Sequence, residues 1–300
     1  MFLKKWMSYL SDGAKLNKIA MPGSHNAGSY GMTAMACCQD GTLYDQAAMG
    51  VRHFCIRLNT DRKGRIALSH GVAKGRPFAE ALADMRKAMD DCPAEFFIFD
   101  IREYYPTSYG PVKLTSRADP KEVSRMIAEA LAPEKYALHE FGHISDVTMG
   151  GIRRAGKRYM IINYGAAYEY SVDCEQILPW EAKLHGLETE KFIKEITKQF
   201  DNHQTQGIYW FQTQQTAGFG TELGLKTPRK MDAMQRPFYP RLIESIAANP
   251  FYLGNANVIS GDFMTADDRK AKLIVGLNLN KGIVRDDCKE EFSRNILRGD

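Results

Sequence analysis

The stretch FAEALADMRKAMDDCPAEFFIFDIREYY, residues 78–105, sets two element types against each other. Its first part has the apolar spacing of a helix over Phe78–Asp91, and its second is a short apolar and aromatic run of strand character over Phe96–Tyr105. The same alternation recurs on both sides. Strand candidates are Leu16–Met21, Val51–Leu58, Arg158–Tyr164, Gly207–Thr213 and Asn257–Met264, and helix candidates are Pro120–Leu131, Glu190–His203, Arg241–Asn249 and Asp267–Asn278. Asp119 is placed to cap the helix that Pro120 opens. Repeated strand-then-helix units call for a largely parallel sheet, and no Pro/Gly/Ser linker divides the chain. An α/β fold follows, a single barrel domain over residues 1–300 in preference to an open doubly wound sheet.

The 300 residues carry 44% hydrophobic and 25% charged side chains, the balance of a globular chain, which excludes disordered, collagen-like and coiled-coil classes. No apolar run approaches the roughly 20 residues of a membrane-spanning helix, so any membrane contact is expected to be peripheral. Forty basic against 36 acidic residues leave a net charge of +4 without a basic tail, so nucleic acid is not an expected partner. Six cysteines include no zinc-type CxxC pair and read as free, mostly buried thiols. The N-terminus lacks an export signal, which places the chain as given in the cytoplasm, or outside the cell if it is a mature domain.

In a β/α barrel, chemistry gathers where the strands end. Those positions hold His25 and Asn26, Arg57, Arg102, Asn163 and Asp262. A near-neutral imidazole at His25, flanked by Gly23 and Gly28 for a sharp turn, can take a hydroxyl proton. His70, in a second glycine-followed turn, can supply one, and the Arg57 guanidinium can clamp a phosphate between them. Each residue has a plainer reading: a loop histidine, a rim salt bridge, a strand-end cap.

Together these motifs resemble a family. PGSHNAGSY (22–30), GVRHFCIRL (50–58), LSHG (68–71) and PAEFFIFDIREYY (93–105) stand in the order of the X domain of phosphatidylinositol-specific phospholipase C, a resemblance running from about Trp6 to about Met264. It implies a distorted, incompletely closed (β/α)8 TIM barrel and a phosphodiester cleavage in which the inositol 2-hydroxyl attacks phosphorus and diacylglycerol leaves. On that model His25 is the general base, His70 the general acid, Arg57 the phosphate clamp and Asp262 the carboxylate that orients the base. The substrate would be an inositol phospholipid met transiently at a membrane surface, and the chain would work as a monomer.

The calcium-using branch places acids where this chain has Cys55, Arg57 and Arg102, so the resemblance is to the metal-independent bacterial branch, with no cofactor and no metal. Arg102 would add positive potential beside the phosphate. Asn26 stands where that branch has an aspartate and lends His70 a hydrogen bond without charge. Asn163, Trp180, Glu181 and Lys183 are the headgroup candidates, the indole for a ring face and the carboxylate for vicinal hydroxyls. Two alternatives stay open: a catalytically impaired headgroup-binding module, and a metal-dependent glycerophosphodiesterase on the same barrel.

Overall fold

A computed structural model of the chain describes residues 2–61, 63–103, 108–109, 112–113, 115–164, 167–173, 176–177, 189–201, 206–215 and 227–297. Among them are twelve strands: β1 (Met21–Ser24), β2 (His53–Thr60), β3 (Ile66–His70), β4 (Ala73–Pro77), β5 (Phe97–Glu103), β6 (Ser108–Tyr109), β7 (Val112–Lys113), β8 (Tyr159–Tyr164), β9 (Ser171–Val172), β10 (Gln176–Ile177), β11 (Ile208–Gln212) and β12 (Val258–Gly261). Eight of these, in the order β10-β11-β12-β1-β2-β5-β8-β9, make one curled sheet in which every ladder is parallel. The helices between them supply the outer layer, as the alternating pattern requires. The barrel is distorted, as the resemblance implies: among the described residues no ladder joins β9 to β10, each two residues long.

Side-chain parity explains why the strands read as continuous apolar runs. Phe54, Ile56, Phe97, Phe99, Ile101, Tyr159, Ile161, Tyr209, Phe211 and Ile259 pack outward in one core with Leu82, Met85, Val123, Ile127, Leu242 and Ile274 of the helices. The alternate residues Met21, Cys55, Ile98, Met160, Ile162, Trp210 and Val258 fill the barrel interior in a second core. A strand buried on both faces cannot alternate apolar with polar.

The helix over Phe78–Asp91 falls where the pattern puts it, and in Pro120–Leu131 Asp119 accepts from the Lys121 N–H at 3.0 Å, the expected cap. The first strand starts later than expected. Residues Leu16–Lys18 form a 3-10 turn, and the ladder opens where the Met21 N–H reaches the Asn257 carbonyl. At the amino end of the barrel, Phe2–Tyr9 is a kinked 3-10 segment whose Leu3, Trp6 and Met7 join the interior core, so the segment packs against the barrel. Fully buried Arg52 ties it down, donating to the Leu3 and Lys4 carbonyls at 3.0 and 3.1 Å and to Glu95 at 2.6 Å.

Candidate active site

The site sits at the carboxyl end of β1, and its shape follows from where that strand stops. One edge of β2 carries β5 along residues 53–58. The other edge pairs with β1 only at His53 and Phe54, then takes β3 in antiparallel fashion at residues 58–60. The β3–β4 hairpin therefore stands on top of β1, and its end delivers His70 beside Asn26.

The turn that presents His25 is made by Asn26, whose φ of 44° and ψ of 52° are left-handed, a conformation asparagine accepts more readily than most residues. The expected role of Gly23 and Gly28 is corrected here, because neither has a positive φ. Both are needed for close approach: a Cβ on Gly23 would lie 2.8 Å from Val258 and one on Gly28 2.6 Å from Leu68. Asp262, just beyond β12, is likewise followed by a left-handed residue, Phe263 at φ 50°. Each strand thus ends in an abrupt turn that aims a functional side chain across the barrel mouth.

His25 Nδ1 lies 2.8 Å from Asp262 Oδ1. A carboxylate accepts, so Nδ1 carries a proton, which in the neutral ring makes Nε2 the basic nitrogen. Asp262 is 5% exposed, and burial pushes its carboxyl up from the ordinary range while the His25 ring and the Lys270 ammonium oppose that shift. Lys270 Nζ also donates to the Asp262 carbonyl at 2.9 Å.

His70 is bound on both nitrogens. Nδ1 lies 2.7 Å from the Ala36 carbonyl, which can only accept, so Nδ1 holds a proton. Nε2 then faces Asn26 Nδ2 at 3.2 Å as an acceptor. Asn26 Oδ1 is buried and finds no hydrogen bond among the described residues. A half-turn of the amide would aim that oxygen at Nε2–H of a protonated ring, so one neutral side chain can serve both protonation states of His70.

Cys38 marks the centre of the group. Its Sγ lies 3.7 Å from Asn26 Nδ2 and 3.9 Å from His70 Nδ1, and burial raises its thiol well above the ordinary range, with Asp262 adding to the shift and Arg57 opposing it. The two imidazoles, Asp262 and Arg57 therefore border one thiol. Arg57 stands in register with Arg102 of β5. Arg102 is paired with Asp100 at 2.6 Å and lies 4.6 Å over the Trp210 ring, an inward-facing guanidinium with its charge already matched. Asn163 is not brought to this group: it shares the outward parity of Ile161 and donates to Ser171 Oγ at 3.2 Å. Trp180, Glu181 and Lys183 lie outside the described residues.

One contributor had no sequence signal. Gln39, fully buried, donates through Nε2 to the His25 carbonyl at 2.9 Å and the Gly261 carbonyl at 3.0 Å, and accepts from the Met264 N–H at 3.0 Å. It braces the loop of His25 to the loop of Asp262, and a glutamine in a polar loop announces nothing of the kind.

No family model matches the chain. Two curated 1-phosphatidylinositol phosphodiesterases, from two strains of Staphylococcus aureus, are each 31% identical to it over 108 residues, 34% of this chain and 35% and 33% of theirs. The matched stretch spans about a third of those relatives. Among solved structures, the phosphatidylinositol-specific phospholipase C of Listeria monocytogenes superposes with a TM-score of 0.62 at 17% identity, covering 92% of this chain and 98% of its own. A structure of the S. aureus enzyme gives a TM-score of 0.65 at 17% identity, covering 92% and 97%. At this identity the likeness is one of fold, the distorted barrel.

Proposed function

We propose that the chain is a phosphatidylinositol-specific phospholipase C that cleaves inositol phospholipids by attack of the substrate's own 2-hydroxyl. The observation that carries the reading is the His25–Asp262 contact of 2.8 Å together with a second imidazole held by Asn26, the residue that follows His25. His25 Nε2 takes the proton of the inositol 2-hydroxyl, and the freed oxygen attacks phosphorus. Arg57 binds the non-bridging oxygens as charge builds on them. His70 protonates the diacylglycerol oxygen as it leaves, giving a cyclic inositol phosphate that water can open in a second step with the roles reversed. Asp262 keeps the base in the right tautomer. Trp180, Glu181 and Lys183 remain candidates for the inositol hydroxyls; Asn163, turned outward to Ser171, and Arg102, whose charge Asp100 already matches, take no part in this reading. The similarity to the S. aureus phosphodiesterases and the motif order support this substrate class.

The protein would meet its lipid at a membrane surface, transiently. Met35 and Val72, 54% and 64% exposed, flank the Ala36–His70 contact at the rim of the site and are apolar points for such a surface. No helix among the described residues is long and apolar enough to cross a membrane.

The test is phosphorus NMR of phosphatidylinositol vesicles with the protein, with and without EDTA. A cyclic inositol phosphate appearing in both samples, and absent with His25→Ala, is the expected result. Activity abolished by the chelator would turn the reading to a metal-dependent diesterase. Vesicle binding with no water-soluble phosphate at any pH would turn it to a headgroup-binding module.

A further inference from the structure

We infer that His25, Cys38 and Asp262 form a site for a soft divalent cation of the zinc class, seated where the catalytic base works. One ligand atom from each of the three lies within 4.8 Å of the others, and all three side chains are buried. Imidazole nitrogen, thiolate and carboxylate are the donors such an ion takes, and three protein ligands leave a fourth tetrahedral position open to water. A thiolate and a carboxylate together offset the ion's two charges, leaving the Arg57 guanidinium beside the thiol with no net charge to oppose.

The thiol is held in place independently of any ligand. The Cys38 backbone N–H donates to Ser29 Oγ at 2.9 Å, and its carbonyl accepts from the Phe263 N–H at 2.8 Å. Cys38 is thereby fixed between the loop that carries His25 and the loop that carries Asp262. His25 Nδ1 and Asp262 Oδ1 are already 2.8 Å apart, and tetrahedral zinc would hold such a pair at roughly 3.3 Å. Those two side chains would separate by about half an ångström, and Cys38 Sγ, within 4.8 Å of both, would close on the ion to a metal–sulfur distance of about 2.3 Å. The phosphodiester reaction gives Cys38 no work, so the donor set is not explained by the chemistry of the site.

Binding releases the Cys38 thiol proton to solvent, moves the His25 Nδ1 proton through solvent to Nε2 when the ion takes Nδ1, and forms the metal–sulfur, metal–nitrogen and metal–oxygen bonds with no change of oxidation state. It also disables the base by either ring nitrogen. An ion on Nε2 occupies the lone pair that would take the substrate proton, and an ion on Nδ1 leaves the ring's remaining proton on Nε2. The cation is therefore a reversible inhibitor, competing with the proton transfer and not assisting it.

The probe is cobalt(II) added to the protein after EDTA treatment and desalting, read by absorbance. A near-ultraviolet thiolate-to-cobalt band and visible bands of tetrahedral intensity are expected, with the near-ultraviolet band lost in Cys38→Ser and Cys38→Ala and kept in Cys37→Ser. Zinc should inhibit phosphatidylinositol cleavage by the unsubstituted chain, and at least about tenfold more zinc should be needed in either Cys38 variant. A spectrum without the thiolate band, a band that disappears with Cys37 and not Cys38, or equal zinc inhibition of chain and Cys38 variants would overturn the assignment. The cobalt spectrum needs no turnover, so failure of the lipid assay and failure of the metal site are separate results.

Discussion

Asn26 carries three duties in one residue: its backbone makes the left-handed turn that presents His25, its amide reaches His70, and it lies against Cys38. None of them requires a charge, which is why an asparagine can stand there. Arg57 is different, because the part proposed for it in the reaction is charge. Removing one preorganised transition-state donor commonly costs on the order of 10²–10³ in turnover, so Arg57→Leu should lower kcat at least that far with KM moving less. A loss under tenfold in the phosphorus NMR assay would remove Arg57 from its role. A second histidine sets the acid limit of the fold. His53 is fully buried against Trp210, 5.0 Å between ring centroids, and burial pulls its pKa down to about 4, with Asp100 opposing the shift and Arg102 reinforcing it. The unfolded chain takes up that proton near pH 6.5 and the folded one does so only near 4, so this part of the stability is present above about 6.5 and is lost as pH falls toward 4. The loss amounts to about 3 kcal/mol, and thermal melts between pH 7 and 4.5 should show it, with a flatter slope in His53→Gln.

The element that shapes the site is the β3–β4 hairpin, with the short β1 beneath it. Because β1 has only four residues, the upper edge of β2 is left for β3, and His70 arrives above His25 from a strand outside the parallel path. A sequence reading sees the β-like run before His70 and its glycine; it does not see that the ladder is antiparallel. Gln39 belongs to this scale as well, since it joins two strand-end loops. Gln39→Leu should lower kcat by roughly one to two orders of magnitude while KM is held, since misplacing a catalytic group by about an ångström costs on the order of 10². Gln39→Glu, which keeps the Met264 contact alone, should recover little. A purely structural role would instead lower the melting temperature and leave kcat per folded molecule unchanged.

Taken whole, the described residues make a parallel barrel in which β9 and β10 share no ladder, plugged at its amino end by residues Phe2–Tyr9 and carrying the candidate site at its carboxyl end. The apolar rim residues Met35 and Val72 belong to the working end. Replacing both with aspartate removes roughly 2 kcal/mol of apolar burial from a lipid contact, so binding to phosphatidylinositol vesicles, measured by sedimentation, should weaken about tenfold or more. Hydrolysis of soluble cyclic inositol phosphate should stay near its starting rate. Equal losses on both substrates would place these side chains in the reaction and not at the surface.

Periodicity and parity are local, and they sufficed for β2, β5, β8, β11 and β12, for the helices over Phe78–Asp91 and Pro120–Leu131 and for the cap at Asp119. The motif order likewise put His25, His70, Arg57 and Asp262 in one group before any coordinates. What folding alone decided was how they meet: the left-handed turns at Asn26 and Phe263, the hairpin that lifts His70, the Gln39 brace and the thiol at the centre. Asn163 shows why. One step of strand register turns a side chain to the other face, and its hydrogen bond to Ser171 depends on a loop folding back. Contacts between residues hundreds of positions apart, such as His25 with Asp262, are set by the curl of the sheet, a property of all its strands together and of no segment alone.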